Sequence, residues 1–141
     1  MINDGLKMTG AVAIALNGEV VQEIPNLVVT AGKGYVASRM KDATATAMSH
    51  MAIGTNSTTA AVGQTALSSE AARGALTSTT VSTNTIAYVE TFAAGTGTGA
   101  IVEAGVFNAS SGGTMLCRTV FAVVNKGSAD AMTITWTITV S

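Results

Sequence analysis

"AMTITWTITV", residues 131–140, decides the fold. Met132, Ile134, Trp136, Ile138 and Val140 alternate with Thr133, Thr135, Thr137 and Thr139. A period of two puts the apolar set on one face of a strand and the threonines on the other. Threonine is β-branched and suits an exposed pleated surface. The segment therefore reads as a half-buried strand with Trp136 as its core anchor.

The neighbouring segments read the same way. "GTMLCRTVFAVV" (113–124) is a second strand, ending at the loop "NKGSAD". "GAIVEAGVFNA" (99–109) is a third, and the "SSGG" turn predicts a hairpin of Ile101–Asn108 with Met115–Val124. "ALTSTTVST" and "NTIAYVETFAA" flank a tight turn at Asn84. "AVAIAL" and "EVVQEI" surround Asn17-Gly18, a strong short hairpin signal. "NLVV" (26–29) extends the sheet. Thr30 is positioned to cap a helix with Tyr35, Val36 and Met40 on one side, although Gly32 and Gly34 weaken it. A second short helical turn is expected in "TALSSEAAR" (65–73). The fold class is thus mainly β: an antiparallel β-sandwich of about eight strands, jelly-roll-like, with one or two short helices.

The chain of 141 residues is long enough for one domain with one core, and a single sandwich domain over 1–141 is expected. Charged residues are 11% of it and hydrophobic residues 48%. A soluble domain averages about 25% charged residues, so Thr, Ser, Gly and Ala must cover this surface. A surface so poor in charge is poorly protected from association, which favours life inside an assembly. The net charge is −1 and the cations are scattered, so no basic patch supports nucleic-acid binding. No stretch approaches the ~18 apolar residues that span a membrane. "MINDGLKMTG" lacks a basic region followed by an apolar block, so a cytoplasmic site of synthesis is expected.

Chemistry-bearing patterns are sparse. His50 is the only histidine and Cys117 the only cysteine, so neither a zinc set nor an internal disulfide is expected. Cys117 lies in an apolar run and reads as a small buried hydrophobe. A Ser-His-Asp arrangement around His50 would need partners supplied by folding, and no G-x-S-x-G elbow is present. "GTGTG" (95–99) is followed by strand pattern rather than by Lys-Ser/Thr and a helix, so it reads as a connection and not as a phosphate cradle. No Asp-x-Asp-x-Asp run suggests calcium. Glu90 and Glu103 sit inside strand-like segments and are the carboxylate pair to test for glycosidase geometry. The plainer reading gives them partners, with Arg73 and Arg118 as candidates. No catalytic, cofactor-binding or metal-binding residue is expected, and the chain is expected not to be an enzyme.

Three motifs occur in order: Ile53-Gly54-Thr55 with Thr58-Thr59-Ala60, Thr65-Ala66-Leu67, Glu70 and Arg73; then Ile101–Phe107, Gly112-Gly113 and Thr114–Arg118; then Thr133–Trp136. In this order they resemble a module common in small structural proteins of tailed bacteriophages. "NLVVTAGKGYVASRM" also fits. Within that group the chain is similar to the capsid cement or decoration proteins of podophage-type heads. The resemblance implies a virion protein assembled in the host cytoplasm, bound outside the shell of the major capsid protein and locking neighbouring subunits together, often as a homodimer. A tail-fibre, collar or baseplate-associated part, or a receptor- or carbohydrate-binding sandwich, is the alternative; the chain shows no collagen-like or coiled-coil shaft, which leans toward cement. Residues 1–9 are a candidate N-terminal arm, with Ile2, Leu6 and Met8 as candidate capsid contacts. Glu70 and Arg73, three apart, are a candidate structural pair.

Overall fold

A computed structural model describes residues 5–41 and 45–141. Within them the chain forms ten strands and one helix: β1 (Met8–Leu16), β2 (Glu19–Pro25), β3 (Leu27–Val28), α1 (Thr30–Met40), β4 (His50–Gly54), β5 (Glu70–Ala75), β6 (Ser78–Ser82), β7 (Thr85–Phe92), β8 (Gly99–Phe107), β9 (Met115–Lys126) and β10 (Met132–Val140). They make two five-stranded antiparallel sheets, ordered β2-β1-β10-β7-β6 and β3-β9-β8-β4-β5. The first long strand pairs with the last, and β3 pairs with β9 in the other sheet. The β6–β7 and β8–β9 hairpins each stay within one sheet.

The strand at 132–140 lies at the centre of the first sheet, with Trp136 between Val12 of β1 and Tyr88 of β7. Met132, Ile134, Trp136 and Ile138 are buried while the four threonines are half-buried, as the alternation requires. Facing them from the second sheet are Met51, Ile53, Val106, Phe121 and Val124, which close one continuous core. A smaller cluster of Val29, Ala52, Leu67, Phe107 and Met115 sits on the second sheet's other face.

The turns follow local chemistry, with one exception. Asn17 (φ 51°) and Gly18 (φ 84°) make the β1–β2 turn, both left-handed, as a type I′ hairpin demands. Between β6 and β7 the two loop residues are Thr83 and Asn84, and only Thr83 has positive φ, at 55°. That sign pattern belongs to a II′ turn, whose first position favours glycine. A β-branched residue there is strained. Thr83→Gly is expected to raise stability by about 1 kcal/mol, read as a higher urea midpoint with an unchanged slope.

Three local expectations are corrected. Thr30 does not cap α1: the N-cap is Val29, which makes no side-chain cap bond. Val29 is fully buried and its N–H donates to Leu116 O at 3.2 Å, while the Thr30 N–H donates to Val62 O at 2.8 Å. Tertiary carbonyls thus take up two N–H groups at the helix start that have no partner within the helix. Gly32 allows this docking, because a Cβ there would lie 2.0 Å from Leu116 O. The second correction concerns 65–73, where no helix forms; α1 is the single helix among the described residues, and Glu70–Ala75 is the edge strand β5. Its alanines favour helix weakly, and backbone pairing to the open side of β4 outweighs that preference. Third, Met8 and Thr9 belong to β1, paired with Val140 and Thr139, so any N-terminal arm is shorter than 1–9.

Candidate functional site

The polar residues of the motifs at 53–73, 101–107 and 114–118 meet on the outer face of the second sheet, while Ile53, Ile101, Val106 and Cys117 of the same segments face the core. Arg118 on β9 stands opposite Gly105, and Glu103 on β8 stands opposite Val120, so their side chains meet diagonally across the pair. Both are fully buried, with Arg118 Nη2 3.0 Å and Nε 3.2 Å from Glu103 Oε1. The rest of their bonding capacity goes to the segment crossing above them. Glu103 accepts from the backbone N–H groups of Asn56 (3.0 Å), Ser68 (3.0 Å) and Ser69 (2.9 Å). Arg118 donates to Thr58 O (2.8 Å) and to Gln64 Oε1 (3.0 Å). Gln64 in turn accepts from the Ala61 N–H and donates to Thr59 O. The buried pair is therefore a clasp that holds residues 56–69 onto the sheet.

Gly54 completes it. A Cβ there would sit 2.6 Å from Glu103 Oε2 and 2.4 Å from Ser69 O, so any side chain would push the carboxylate or the returning strand away.

Arg73 forms a second staple beside the first. It grips Glu70 in a two-point contact, Nη2–Oε1 2.7 Å and Nε–Oε2 3.0 Å. Its Nη1 donates to Ala109 O and Gly112 O, both at 2.9 Å, fixing the turn between β8 and β9. The guanidinium carbon lies 3.8 Å from the centre of the Phe107 ring. Residues three apart in a strand ordinarily point to opposite faces. Here Ala72 pairs with Ile53 and Glu70 with Gly54, leaving Ala71 as an unpaired bulge residue that returns Glu70 to the side of Arg73. The pair forms by a bulge, not by a helical turn.

The carboxylates Glu90 and Glu103 do not share a site. Glu90 on β7 lies on the core-facing side of the first sheet with Tyr88 and Phe92, and accepts from Thr77 Oγ1 (2.9 Å) and the Thr91 N–H (2.7 Å). Glu103 lies beyond the second sheet. His50 is half-buried on β4 with Ser49 Oγ 2.8 Å from its Nδ1, and no carboxylate bonds the imidazole among the described residues. Cys117 is fully buried in the core, and burial pushes its thiol well above the usual range, against a smaller opposing effect of a backbone contact with Val106. A disulfide reagent is expected to titrate this thiol only after unfolding; reaction at the native rate of a free thiol would contradict the packing. Of residues 95–99, the first four lie in the connection from β7 to β8 and Gly99 opens β8, with no helix N-terminus behind them. Among the described residues no group of three or more His, Cys, Asp or Glu is placed to hold a metal ion, and no helix is long and apolar enough to cross a membrane.

One exposed corner is electrostatically organised. Asn17 donates to Asp130 Oδ1 at 2.9 Å and the Gly127 N–H donates to Oδ2 at 2.8 Å. The Asn17 side chain first, then the Gly127 N–H, hold the Asp130 carboxyl below the usual carboxylate range. A depressed folded-state value stabilises the protein above the unfolded value and loses that effect as pH falls through the folded one. Asp130→Asn is thus expected to be less stable than wild type at neutral pH, the gap closing below about pH 4; thermal melts across pH test this. Next to it the Lys126 ammonium is buried and donates to Ala93 O (2.9 Å) and Asp130 O (2.7 Å).

Of the candidate contacts, Ile2 lies outside the described residues. Leu6 is exposed and Met8 half-buried. Both line a largely apolar cleft with Val28, Val36, Ala37 and Met40, which Lys7 and Lys33 also border.

Comparison with known proteins finds no match. Neither protein-family models, nor curated proteins, nor solved structures match the chain.

Proposed function

We propose that this chain is a structural virion protein of a tailed bacteriophage that binds the outside of the capsid shell and cements neighbouring major capsid subunits. The observation that carries the reading is the placement of its exposed apolar side chains. Leu6 and Met40 flank the cleft beside α1. Val21 and Val123 line another with Leu16, where β2 meets β9. Val81 borders a third with Ile86, Ile138 and Val140. Scattered apolar residues are ordinary on a protein surface, but apolar clefts on separate elements of a charge-poor domain suit a bridge between several neighbours. The clasp and staple support the same reading. They commit Glu103, Arg118, Glu70 and Arg73 to holding two connections rigid, residues 56–69 and the turn between β8 and β9, as a protein that resists mechanical load needs. Binding only the assembled shell would add stability to it by mass action.

The test is to locate the protein on virions and to compare heads that have it with heads that lack it. Label is expected over the whole shell, with loss of packaged DNA at lower temperature when the protein is absent. Label at a single vertex would move the reading to a collar, baseplate or fibre part, and heads equally stable without the protein would remove cementing altogether.

A further inference from the structure

The four sheet edges are unequal. β2 carries Glu19, Glu23 and Pro25. β5 carries Glu70 and Arg73 and is bulged at Ala71. β3 is two residues long. Charges, proline, bulges and shortness are the devices that keep edges from pairing with other chains. β6, the edge of the first sheet, has none of them: its sequence is Ser-Thr-Thr-Val-Ser and all five residues are exposed. It pairs with β7 on one side, Ser78 opposite Val89 through Ser82 opposite Thr85, and its other side has no strand among the described residues.

β6 also overhangs the sandwich. Thr79 and Val81 stand opposite Tyr88 and Ile86, on the side of the sheet that elsewhere covers the core. The second sheet ends at β5, which packs against β7, so Val81 is 71% exposed where its neighbours in the sheet are covered.

We infer that β6 is a self-pairing edge, and that its partner is β6 of a second copy of this chain. The strand is complementary to itself about Thr80. Antiparallel pairing on a two-fold axis there sets Ser78 opposite Ser82, Thr79 opposite Val81, and Thr80 opposite Thr80 of the other copy. No like charges meet, and pairs of hydroxyl and β-branched residues are favourable across a sheet. The same operation about Gln22, the middle of β2, would set Pro25, which has no N–H, opposite Glu19 and leave the two copies' Glu23 side chains diagonal to each other across the pair. The resulting dimer joins two five-stranded sheets into one continuous sheet and sets Thr79 and Val81 of each copy side by side over the overhang. The inference stands whether or not the protein sits on a capsid, and its test needs no virion.

The test is sedimentation of the purified full chain over a concentration series, with three variants. Thr80 stands opposite Ala87, on the solvent side of the sheet, so a charge there leaves the core intact. Wild type is expected to dimerise. Thr80→Lys, with the thermal midpoint of its monomer unchanged, is expected to weaken the dimer by roughly tenfold or more, since like charges then face each other. Mixing Thr80→Lys with Thr80→Glu is expected to restore a dimer, while Val20→Lys on β2 leaves the wild-type dimer unaffected. A wild type that stays monomeric at every concentration, a dimer indifferent to Thr80→Lys, or a Lys/Glu mixture that stays monomeric would each overturn the inference.

Discussion

Arg118→Ala is expected to lose about 3–5 kcal/mol of folding stability, because it leaves the Glu103 carboxylate buried without its cation. The loss should be read as a fall in urea midpoint and should come with proteolytic opening of residues 56–69, since Arg118 also holds Thr58 O and Gln64. Glu103→Gln tests the other side. An amide presents one acceptor oxygen where the carboxylate has two, yet three backbone N–H groups and the guanidinium converge on it. Replacing both partners together, Glu103→Leu with Arg118→Met, should cost less on the pair's own account than the sum of the single changes, because no charge remains buried. The loop should nevertheless loosen, for its backbone donors then face apolar atoms. A single change costing under about 1 kcal/mol would mean that the pair is solvated and not a clasp.

Trp136→Ala is the second large effect, at about 3–5 kcal/mol from lost burial and the cavity left behind. The indole is fully buried and sits between Val12 and Tyr88 in the middle of the first sheet, where neighbouring strands limit collapse of the hole. Its Nε1 has no hydrogen-bond partner among the described residues. Trp136→Phe removes that N–H along with part of the volume, so it should lose well under half as much as the alanine change. Circular dichroism in urea compares the three proteins. In wild type the single tryptophan gives a second probe, since its emission should shift to the red in the same transition. A shift at lower urea than the loss of strand signal would show that the core around Trp136 opens first.

Much of the fold was legible because its largest strands carry strong local patterns. The 132–140 alternation, the Asn17-Gly18 turn and the apolar pair of strands around "SSGG" each state their element without help from distant residues. β5 was not legible. Six residues of Ala, Gly, Glu and Arg have no strand pattern, and they are extended only because β4 offers an open edge. The clasp was half legible. A carboxylate and an arginine inside strands invite pairing, and Arg118 could be suggested for Glu103. Its other ligands could not, for Asn56, Ser68 and Ser69 bond through backbone N–H groups that no side-chain pattern marks, from 34 to 47 residues away in the chain.

What the sequence by itself determined is periodicity: which of the strongly patterned segments are strands, where the tight hairpins fall, and that one apolar face of 132–140 must be buried. What only the tertiary structure decided is which face each polar residue takes and which edge stays open. Strand register shifts between Ile101 and Glu103, where two steps along β8 match four along β9 from Val124 to Val120, and across that irregularity Ile101 turns inward to the core and Glu103 outward beneath the loop. A bulge at Ala71 likewise puts Glu70 beside Arg73. Because side chains alternate with a period of two, a single extra residue reverses the face of all that follows. Such a residue carries no mark of its own, since the strand it must mismatch lies elsewhere in the chain.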